Sequence, residues 1–458
     1  MKEYDVIVVG SGSGMSIANR ALQQGLRVAL IDKGPLGGTC LNVGCIPSKI
    51  LIFPADRIAK IREAKKLGID AEVKDINFSS IMERMRRIVQ DGVDHIRRGI
   101  RSAPPNFDFY DATGYFVDDY TLKIKGSEEK ITGEKIFIVA GARPLIPPIQ
   151  GIDEVEYLTN ETVLELKKRP KNLIIVGGGY IAAEYGHFFA SMGTHVTILQ
   201  RNEYLVPDEE PEISELLKEE MGKRMELHTN TEVVEMRRED EGYNVIGQYL
   251  KTGEQRAYKA EKIMLATGRK SNADLLKVEN TGVETDDRGF IKVNNYLETS
   301  KENIWAAGDI IGKYMFKHVA NEEVEVAWHN SVHDHKAEMD HTAVPHAVFT
   351  HPQIASVGLT EREAREDHKI LVGKANYSEV AKGEAMVEEK AFAKAIVERN
   401  SGDILGFHII GPYAPILIQE VINAMANDAG IRSLANGMHI HPALPEVILT
   451  AFGNLQVP

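Results

Sequence analysis

One supersecondary pattern occurs twice in the chain, and it restricts the fold more than any other feature of the sequence. In the first copy, YDVIVVGSGSGMSIANRALQQGLRVALID, an apolar segment leads into a glycine-rich turn, an amphipathic segment and a second apolar segment that ends at Asp32. The second copy, NLIIVGGGYIAAEYGHFFASMGTHVTILQR, repeats this order between Asn172 and Arg201. Short apolar runs bounded by glycine indicate buried strands, and the segment between them has helical periodicity. Each copy therefore predicts a β-α-β unit.

The glycines of both turns have the spacing of a dinucleotide-binding loop. A lone G-x-G-x-x-G also occurs in ordinary packing turns, but here each turn lies between a strand and a helix, and the next strand ends about 20 residues on. Glycine lets the backbone approach a pyrophosphate at the N-terminus of the helix. The sequence therefore predicts two nucleotide sites, with glycines at Gly10, Gly12, Gly14, Gly177 and Gly179.

Both turns depart from the pattern at its third glycine. Met15 occupies that position in the first turn and Ala183 in the second. Alanine is a familiar replacement, whereas methionine beside Gly14 predicts looser packing of helix against strand.

The residues that end the second strand of each unit differ in charge. Asp32 can accept hydrogen bonds from ribose hydroxyls, whereas the second unit has neutral Gln200 there, followed by Arg201. A carboxylate near a 2′-phosphate is repelled by about 4 kcal/mol at roughly 4 Å and an effective dielectric of about 20, and by less where water screens it. The loss of the acid and the gain of a guanidinium predict a preference for NADPH over NADH. The alternative is that Arg201 is a solvated surface charge.

Length and charge limit the class of protein. A chain of 458 residues exceeds one hydrophobic core and predicts about three domains. The net charge of −13 argues against nucleic acid and against an anionic membrane surface as partners. No apolar run approaches the ~20 residues that span a bilayer, and the first residues predict a strand rather than a leader. We therefore expect a soluble, cytoplasmic protein.

Both cysteines of the chain lie in one short segment, GGTCLNVGCIPSK. Cys40 and Cys45 are five positions apart, and five residues of regular helix rise ~7.5 Å, beyond the usual Cα separation of a disulfide. A bond between them needs a distorted turn, which Asn42 and Gly44 allow. A zinc site would lack a second cysteine pair, and two inert thiols are the other alternative. In a reducing compartment, a close pair after a nucleotide-binding unit favours a redox disulfide.

This segment resembles the active site of the pyridine nucleotide–disulfide oxidoreductases, which include dihydrolipoamide dehydrogenase, glutathione reductase and mercuric reductase. IFIVAGARPLIPP, MLATGRKSNADLL, IWAAGDI and VFTHPQIASVGLTE extend the resemblance over essentially the full length. It implies an α/β fold with two Rossmann-like domains, for FAD and NAD(P), and a C-terminal α+β dimerisation domain. The implied divisions are an FAD-binding domain over 1–147, an NAD(P)H-binding domain over 148–266, a central FAD-completing region over 267–337 and an interface domain over 338–458.

The resemblance also implies roles for single residues. Electrons would pass from NAD(P)H through FAD to a Cys40–Cys45 disulfide; Cys45 would face the flavin, its thiolate forming a charge-transfer complex, and Cys40 would attack the substrate. Lys49 and Glu184 match the pair beside the flavin N5, and Tyr180 matches the aromatic residue over the nicotinamide pocket. The residues implied to bind the two cofactors are Gly10, Gly12, Gly14, Asp32, Lys33, Gly38, Thr39, Lys49, Ala140, Gly141, Gly308, Asp309, Gly177, Gly179, Tyr180, Arg201 and Gly268.

A histidine and a glutamate stand close together in HIHPALPEVI near the C-terminus. The ordinary histidine pKa of about 6.5 suits His441 to carry the proton of a leaving thiol, and a carboxylate such as Glu446 can fix its tautomer. Alone, this spacing is more typical of a structural turn. In the disulfide reductases, HPxxxE supplies an acid–base dyad from the partner subunit. The resemblance therefore implies that His441, rather than His439, is catalytic and that the enzyme is a homodimer.

The stretch WHNSVHDHKAEMDH carries four histidines. His329 and His333 could share one face of a helix and hold a metal ion. We favour a solvated helix end followed by a linker between domains, and we predict no metal site.

The substrate class follows from finer resemblances. CLNVGCIPSK is similar to dihydrolipoamide dehydrogenase, whereas GSGSGMS, APPNFDFY, GRKSNADLL, KHVANEE and HIHPALPE are similar to mycothione reductase, which uses NADPH. The lack of further cysteines disfavours mercury, and Ile46 to Lys49 in place of Val-Pro-Lys-Lys disfavours glutathione. We expect an FAD-dependent NAD(P)H reductase of a small, mycothione-like disulfide, with dihydrolipoamide dehydrogenase as the alternative. A catalytically silent flavoprotein scaffold is least favoured, because it needs neither the cysteine pair nor the dyad.

Overall fold

The computed structural model describes residues 1–458 and has a mixed α/β composition. The strands, in chain order, are β1 Lys2–Val9, β2 Val28–Asp32, β3 Phe107–Asp111, β4 Gly114–Asp118, β5 Thr121–Ile124, β6 Lys130–Ile138, β7 Ala142–Pro144, β8 Tyr157–Leu158, β9 Asn172–Val176, β10 His195–Leu199, β11 Glu226–His228, β12 Thr231–Glu239, β13 Gly242–Tyr249, β14 Gln255–Ala260, β15 Lys262–Leu265, β16 Arg269–Ser271, β17 Ile304–Ala306, β18 Pro345–Val348, β19 Ile354–Gly358, β20 Ile370–Asn376, β21 Phe392–Glu398 and β22 Ile404–Ile410.

The helices lie between runs of these strands, and the last four follow β22. They are α1 Gly14–Gln23, α2 Gly38–Asn42, α3 Cys45–Glu63, α4 Phe78–Arg101, α5 Tyr180–Ser191, α6 Pro211–Gly222, α7 Ala273–Leu276, α8 Lys317–Val332, α9 Glu361–Asp367, α10 Ala381–Ala385, α11 Ala414–Leu417, α12 Gln419–Ala426, α13 Gly430–Asn436 and α14 Glu446–Gly453. Short 3₁₀ turns lie at Ala64–Leu67, Ile152–Glu154, Thr162–Glu165, Val278–Thr281, Gly308–Ile311 and Tyr377–Glu379.

The chain divides into two compact units, each built from three segments. Unit 1 contains residues 1–48, 83–145 and 268–340. Unit 2 contains residues 49–82, 146–267 and 341–458. The finer division into four domains that the sequence implies stays a prediction.

Unit 1 is organised around a seven-stranded sheet with the order β3-β2-β1-β6-β5-β4, in which β17 also pairs with β6. The neighbours β3, β2, β1, β6 and β17 are parallel, while β4 and β5 form an antiparallel edge. Both faces of β1 are buried: Val6 and Val8 contribute to one apolar cluster, and Ile7 and Val9 contribute to another. Burial on both faces explains why this strand is apolar throughout rather than alternating.

Unit 2 contains the second β-α-β unit in a parallel sheet with the order β11-β10-β9-β15-β8. An antiparallel sheet, β12-β13-β14, joins it in one apolar cluster. A further antiparallel sheet, β18-β19-β22-β21-β20, forms a core with α14 and its neighbouring helices. The predicted fold class, with two Rossmann-like sheets and a C-terminal α+β region, is confirmed.

The first glycine of each nucleotide turn has the same geometric role. Gly10 and Gly177 have φ angles of 111° and 109°, which residues with a side chain rarely adopt. A Cβ on Gly10 would overlap the carbonyl oxygen of Val139, and one on Gly177 would overlap that of Ala266. Both turns therefore need glycine for the fold itself, before any ligand is considered.

Packing at the first turn is tight at Gly14, contrary to the expectation of looser packing. A Cβ on Gly14 would lie 2.7 Å from the Val8 side chain. Gly14, one residue before Met15, is therefore where the helix comes closest to the strand. Met15 itself is only partly buried.

One helical stretch, Gly38–Leu67, has the length and mean hydropathy, 1.2, of a membrane-spanning segment, and 33% of its most apolar part is buried. Core helices of soluble proteins meet the same criteria, so this is weak evidence for a span. The expectation that the chain does not span a membrane stays a prediction.

Candidate active site

In unit 1, two glycine segments meet at the turn before α1. A Cβ on Gly38 would lie 2.9 Å from the Cα of Gly12, so a side chain would not fit between the two segments. Because both residues are glycines, the backbone of each segment is bare at this point. Asp32, at the end of β2, accepts hydrogen bonds from the N–H groups of Ser11 (2.6 Å) and Gly34 (2.8 Å). A bare glycine turn at a helix N-terminus, with a carboxylate at the end of the next strand, is the donor and acceptor set that a dinucleotide requires.

The predicted Gly308–Asp309 pair is held in the same unit by residues that sequence analysis did not single out. The N–H of Gly308 donates to Glu323 Oε2 at 2.6 Å, and Asp309 lies 3.4 Å from the Arg269 guanidinium. Burial raises the pKa of Glu323 to about 7, and burial also raises the pKa of Asp309, against the opposing effect of Arg269. The carboxylate predicted to contact FAD is thus fixed by a buried framework.

The remaining FAD candidates of unit 1 differ in exposure. Lys33 is exposed, whereas Thr39 and Gly141 are partly buried. The carbonyl oxygen of Ala140 accepts a hydrogen bond from the Asn272 side chain at 2.8 Å. Each of these residues lies in or next to a turn that follows a strand of the seven-stranded sheet or in α2.

The cysteine segment forms the distorted turn that its sequence predicts. α2 ends at Asn42, Val43 leaves the helical region with a φ of −140°, and α3 begins at Cys45. The Asn42 side chain donates to the carbonyl oxygens of Leu36 and Gly38, each at 2.9 Å, and so holds the turn from inside. Cys40 is partly buried and Cys45 is exposed; both are thiols, joined by a hydrogen bond.

A lysine that the sequence analysis missed lies close to these thiols. The hydrogen bond with Cys45, followed by burial, raises the pKa of Cys40, and the positive charge of Lys317 opposes that rise. Lys317 is the first residue of α8, and its Nζ donates to Ser13 Oγ at 2.7 Å. In the sequence, Lys317 stood out only as the first residue of KHVANEE. Nothing in that stretch indicates that it lies near the cysteines. The geometry lets this ammonium favour a thiolate.

In unit 2, the structure brings Lys49 and Glu184 together as predicted. The Lys49 ammonium lies 2.8 and 2.6 Å from the two carboxylate oxygens of Glu184. Glu184 is buried within α5, and its Oε1 also accepts a hydrogen bond from the N–H of Phe349 at 3.1 Å. The Lys49 ammonium lies 4.5 Å from the centre of the Phe349 ring. This pair, 135 residues apart in sequence, is therefore oriented by contacts on two sides.

The nucleotide turn of unit 2 presents its candidates at the start of α5 and the end of β10. Gly179 precedes the helix, and Tyr180, its first residue, is exposed. Gln200 is buried against Gly178, with its amide donating to the Tyr204 carbonyl oxygen at 3.2 Å.

The last two candidates of the predicted set, Arg201 and Gly268, are exposed. Arg201 follows β10 and is exposed. Gly268, assigned to unit 1, has a φ of 110°, and its carbonyl oxygen accepts a hydrogen bond from the Leu145 N–H at 3.0 Å.

The structure also joins the two residues of the predicted dyad. His441 Nδ1 lies 2.8 Å from Glu446 Oε1, and the other carboxylate oxygen accepts from the Ala443 N–H at 2.9 Å. The hydrogen bond from His441, and then that from Ala443, lowers the pKa of Glu446. His441 is 72% exposed, so its Nε2 is open to another molecule. His439 instead pairs with Glu420.

The histidines in the last turn of α8 and just after it pair with backbone atoms. His329 Nε2 lies 2.8 Å from the His335 carbonyl oxygen, and His333 Nδ1 lies 3.1 Å from that of His329. The rings of His329 and His333 are stacked at 4.5 Å. These bonds occupy one nitrogen of each ring at the end of the helix.

The sequence matches the family described as pyridine nucleotide-disulphide oxidoreductase over residues 4–324, and the dimerisation domain of the same family over residues 344–452. The chain belongs to this family. Members of the family are enzymes that depend on FAD and a pyridine nucleotide, and the glycine turn, Asp32 and the Gly308–Asp309 pair in unit 1 fit FAD. The predicted enzyme class, an NAD(P)H-dependent flavoprotein disulfide reductase, is confirmed.

Individual members of the pyridine nucleotide-disulphide oxidoreductases align over nearly the whole chain. Mycothione reductase of Mycobacterium tuberculosis is 37% identical over 100% of both sequences. A dihydrolipoyl dehydrogenase of Bacillus subtilis is 32% identical over 97% of this chain and 96% of the relative. The solved Cu(II) complex of the HOCl-induced flavoprotein disulfide reductase RclA from Escherichia coli has a TM-score of 0.87 at 27% identity, with 99% of both chains covered.

Proposed function

We propose that this protein is an NADPH-dependent reductase of a small thiol disulfide, with mycothiol disulfide as the best candidate substrate. The 37% identity to mycothione reductase over the full length of both chains is the observation that carries the substrate class. The second candidate is dihydrolipoamide dehydrogenase, favoured by the CLNVGCIPSK segment and by relatives that are 32% identical. A reducing, cytoplasmic location is part of the proposal, because such a compartment regenerates thiols.

The proposed preference for NADPH is supported by two neighbouring side chains. Gln200 stands where an NADH-binding unit has an acid, and its amide is already used by the Tyr204 carbonyl oxygen. Arg201 is exposed beside it and can approach a 2′-phosphate from the surface. Gly177, Gly179 and Gly268 would hold the rest of the nucleotide, with Tyr180 over the nicotinamide.

Bound FAD would supply an acceptor for the hydride of the nucleotide and a donor of electrons to the cysteine pair. Unit 1 would hold it through the turn at Gly10 to Gly14, through Asp32 and through Asp309. Lys49, oriented by Glu184, would place a positive charge beside the flavin, where negative charge accumulates on reduction.

The thiol chemistry needs only the two cysteines and one acid. The Cys40 thiolate attacks one sulfur of the substrate disulfide, so a Cys40–substrate disulfide forms and one substrate thiolate leaves. His441 gives that thiolate its proton. The Cys45 thiolate then attacks the Cys40 sulfur and expels the second half of the substrate as a thiolate, which takes its proton from water. The cysteine pair ends oxidised by two electrons and the substrate reduced by two. Lys317 would help to keep the attacking group a thiolate.

The dyad would serve a second copy of the chain. The dimerisation domain matched over residues 344–452 contains both His441 and Glu446. We therefore propose a homodimer in which the dyad of one subunit meets the cysteine pair of the other. We propose neither a nucleic acid nor a membrane as a partner.

Steady-state turnover of mycothiol disulfide and of lipoamide, each with NADPH and with NADH, tests the function. We expect NADPH-driven reduction of mycothiol disulfide, with lipoamide slow. Fast lipoamide turnover with NADH would instead make the protein a dihydrolipoamide dehydrogenase and Arg201 a surface charge. If none of the four combinations of substrate and nucleotide turns over, although NADPH still reduces the bound flavin, the substrate is a different disulfide.

Serine variants separate the roles of the two cysteines. We expect Cys45→Ser and Cys40→Ser both to lose disulfide reduction, while NADPH still reduces the flavin. Only Cys40→Ser should show, in the oxidised protein, the long-wavelength absorbance that a thiolate gives beside a flavin, because only that variant keeps Cys45. Full turnover by Cys45→Ser would refute the proposed electron route.

A further inference from the structure

A polar network in unit 2 centres on a histidine that the proposed chemistry does not use. His187 lies on α5 and is fully buried. Its Nε2 is 2.8 Å from Asp56 Oδ1 on α3, and its Nδ1 is 2.9 Å from an Arg224 guanidinium nitrogen. His187 thus lies between a carboxylate and a guanidinium that come from different segments of the chain. Core packing alone does not explain a fully buried histidine in such a place.

The protonation state of His187 follows from its partners. A guanidinium can only donate, so Nδ1 must accept from Arg224 and carry no proton. Nε2 then carries the hydrogen and donates it to Asp56. Burial lowers the pKa of His187 to about 4, which agrees with a neutral ring. His187 is therefore a fixed bridge between two opposite charges rather than a group that gains and loses a proton near neutral pH.

The bridge joins the same two helices as the Lys49–Glu184 pair. On α5, Glu184 and His187 are one turn apart and share a face. On α3, Lys49 and Asp56 are two turns apart and also share a face. The two helices are thus joined at these two points, and at a third point where Arg62 of α3 donates to the Ser191 carbonyl oxygen of α5 at 3.1 Å.

A proline explains why attachment of α3 beyond Lys49 matters. Pro54 lies inside α3, between Lys49 and Asp56. Proline removes a backbone hydrogen bond from the helix interior and allows it to bend there. The Lys49–Glu184 contact holds the helix on one side of this weak point, and Asp56 with His187, followed by Arg62, holds it on the other.

Arg224 is itself immobilised, which makes the bridge rigid. Its second terminal nitrogen donates to the carbonyl oxygen of His351. The His351 ring in turn lies 2.7 Å from Glu63, the last residue of α3. Movement of His187 would therefore disturb contacts at two points on the cysteine-bearing helix.

We propose that His187 is a positioning residue that holds α3 against α5. By bridging Asp56 and Arg224 it keeps Lys49 and Glu184 aligned for the transfer of hydride from the nucleotide. The inference rests on the proposed function, because that function places this pair beside the flavin.

The first measurement is rapid-mixing reduction of the bound flavin by NADPH. We expect His187→Leu to slow it by about tenfold or more, since a small misplacement of a positioning group is costly in rate. His187→Gln has both an acceptor for Arg224 and a donor for Asp56, so it should recover most of the rate. The pH profile should keep its shape in both variants, because the groups facing the ring are Asp56, Arg224 and His351 and the ring stays neutral. His195→Gln, an exposed histidine of the same unit, is the matched control and should be unchanged.

Two further measurements separate positioning from general damage. Hydrogen–deuterium exchange of peptides from α3 in the apoprotein should be faster in His187→Leu and nearly normal in His187→Gln. The rate of Cys45 alkylation should be unaffected in both. If His187→Leu does not fold, Asp56→Ala, which removes the acceptor of the His187 Nε2–H, takes its place and should be slowed.

The inference is overturned if His187→Leu, or Asp56→Ala in its place, reduces its flavin at the wild-type rate. Equal losses in His187→Leu and His187→Gln would also overturn it, because side-chain volume rather than the bridge would then matter. If neither NADPH nor NADH reduces wild-type protein, the proposed function fails, and the exchange of α3 peptides still tests the bridge.

Discussion

Two adjacent residues that follow β10 differ in burial. Gln200 is buried, with its side chain against the glycine turn, whereas Arg201 is exposed. Burial of a carboxylate at position 200 would carry a desolvation cost that the amide avoids. The neutral residue thus suits its site structurally, and the charged neighbour is left to meet a ligand.

Replacement of Arg201 tests that division. We expect Arg201→Ala to lower kcat/KM for NADPH by about 10- to 100-fold, because a charge-assisted hydrogen bond to phosphate contributes roughly 1.5–3 kcal/mol. The value for NADH should change little. Arg256→Ala, an exposed arginine of the same unit, provides the control. An equal loss with both nucleotides would refute the 2′-phosphate contact.

The two histidines near the C-terminus provide a second test at this scale. We expect His441→Gln to reduce disulfide turnover by about 100-fold or more, since general acid catalysis contributes on the order of 10²–10⁴. His439→Gln should have a small effect, because that ring pairs with Glu420. Thermal stability should stay the same in His441→Gln, since the ring is exposed. Steady-state assays and melting curves together distinguish these outcomes.

The nucleotide turn of unit 2 shows, at the scale of an element, that two glycines can be required for different reasons. Gly177 needs its positive φ and has no room for a Cβ. Gly179 has an ordinary φ of −75°, and a Cβ there would meet nothing within 4 Å. The first glycine therefore serves the turn, and the second is free to serve a ligand.

Alanine at each position separates fold from binding. We expect Gly177→Ala to destabilise the protein, because the added Cβ meets the Ala266 carbonyl oxygen. Gly179→Ala should melt at the wild-type temperature but raise the KM for NADPH several-fold, since the pyrophosphate approaches this backbone. An unchanged KM in Gly179→Ala would argue against a nucleotide at this turn.

Across the whole of unit 2, one buried lysine connects acids from two distant segments of the chain. The Lys394 ammonium lies 2.9, 2.7 and 2.7 Å from carboxylate oxygens of Glu210, Glu212 and Glu361. Glu210 and Glu212 come from the segment 146–267 of unit 2, and Glu361 comes from the segment 341–458. Removal of the cation would leave three carboxylates close together in a largely buried place, which is unfavourable.

We therefore expect Lys394→Met to destabilise the protein by about 3–5 kcal/mol, as the loss of one partner of a buried ion pair does. Denaturant unfolding measures this. Lys390→Met, which removes an exposed contact to Glu219, should cause no measurable change. A small effect of Lys394→Met would mean that the three acids are protonated or hydrated in the folded chain.

The same cluster predicts that the folded protein loses stability at acid pH. Burial alone would raise the pKa of Glu212 and of Glu361, but hydrogen bonds from lysines and arginine outweigh it and lower both. A lowered folded pKa stabilises the protein above the unfolded value of about 4.5 and loses that contribution as pH falls through the folded value. The melting temperature should therefore fall below about pH 4.5 in the wild type, and more gradually in Lys394→Met.

Local features of the site were predictable from sequence because their partners are close along the chain. The distorted cysteine turn needs only Asn42 and Gly44 nearby, and the His441–Glu446 contact spans five positions. Lys49 and Glu184 are 135 positions apart, and only the family resemblance connected them. Lys317, Glu323 and His187 were missed, because each looks in sequence like an ordinary helix residue.

The sequence by itself determined the two β-α-β units, since apolar periodicity and glycines with positive φ act within a few residues. It also determined the family, and it predicted that the cysteine pair is reactive. Only the tertiary structure decided which charges are buried and which partners they meet: Lys317 near the thiols, His187 between Asp56 and Arg224, and Lys394 among three acids. The physical reason is that the effect of a charge depends on its burial and its neighbours, and distant segments supply both only after they have packed.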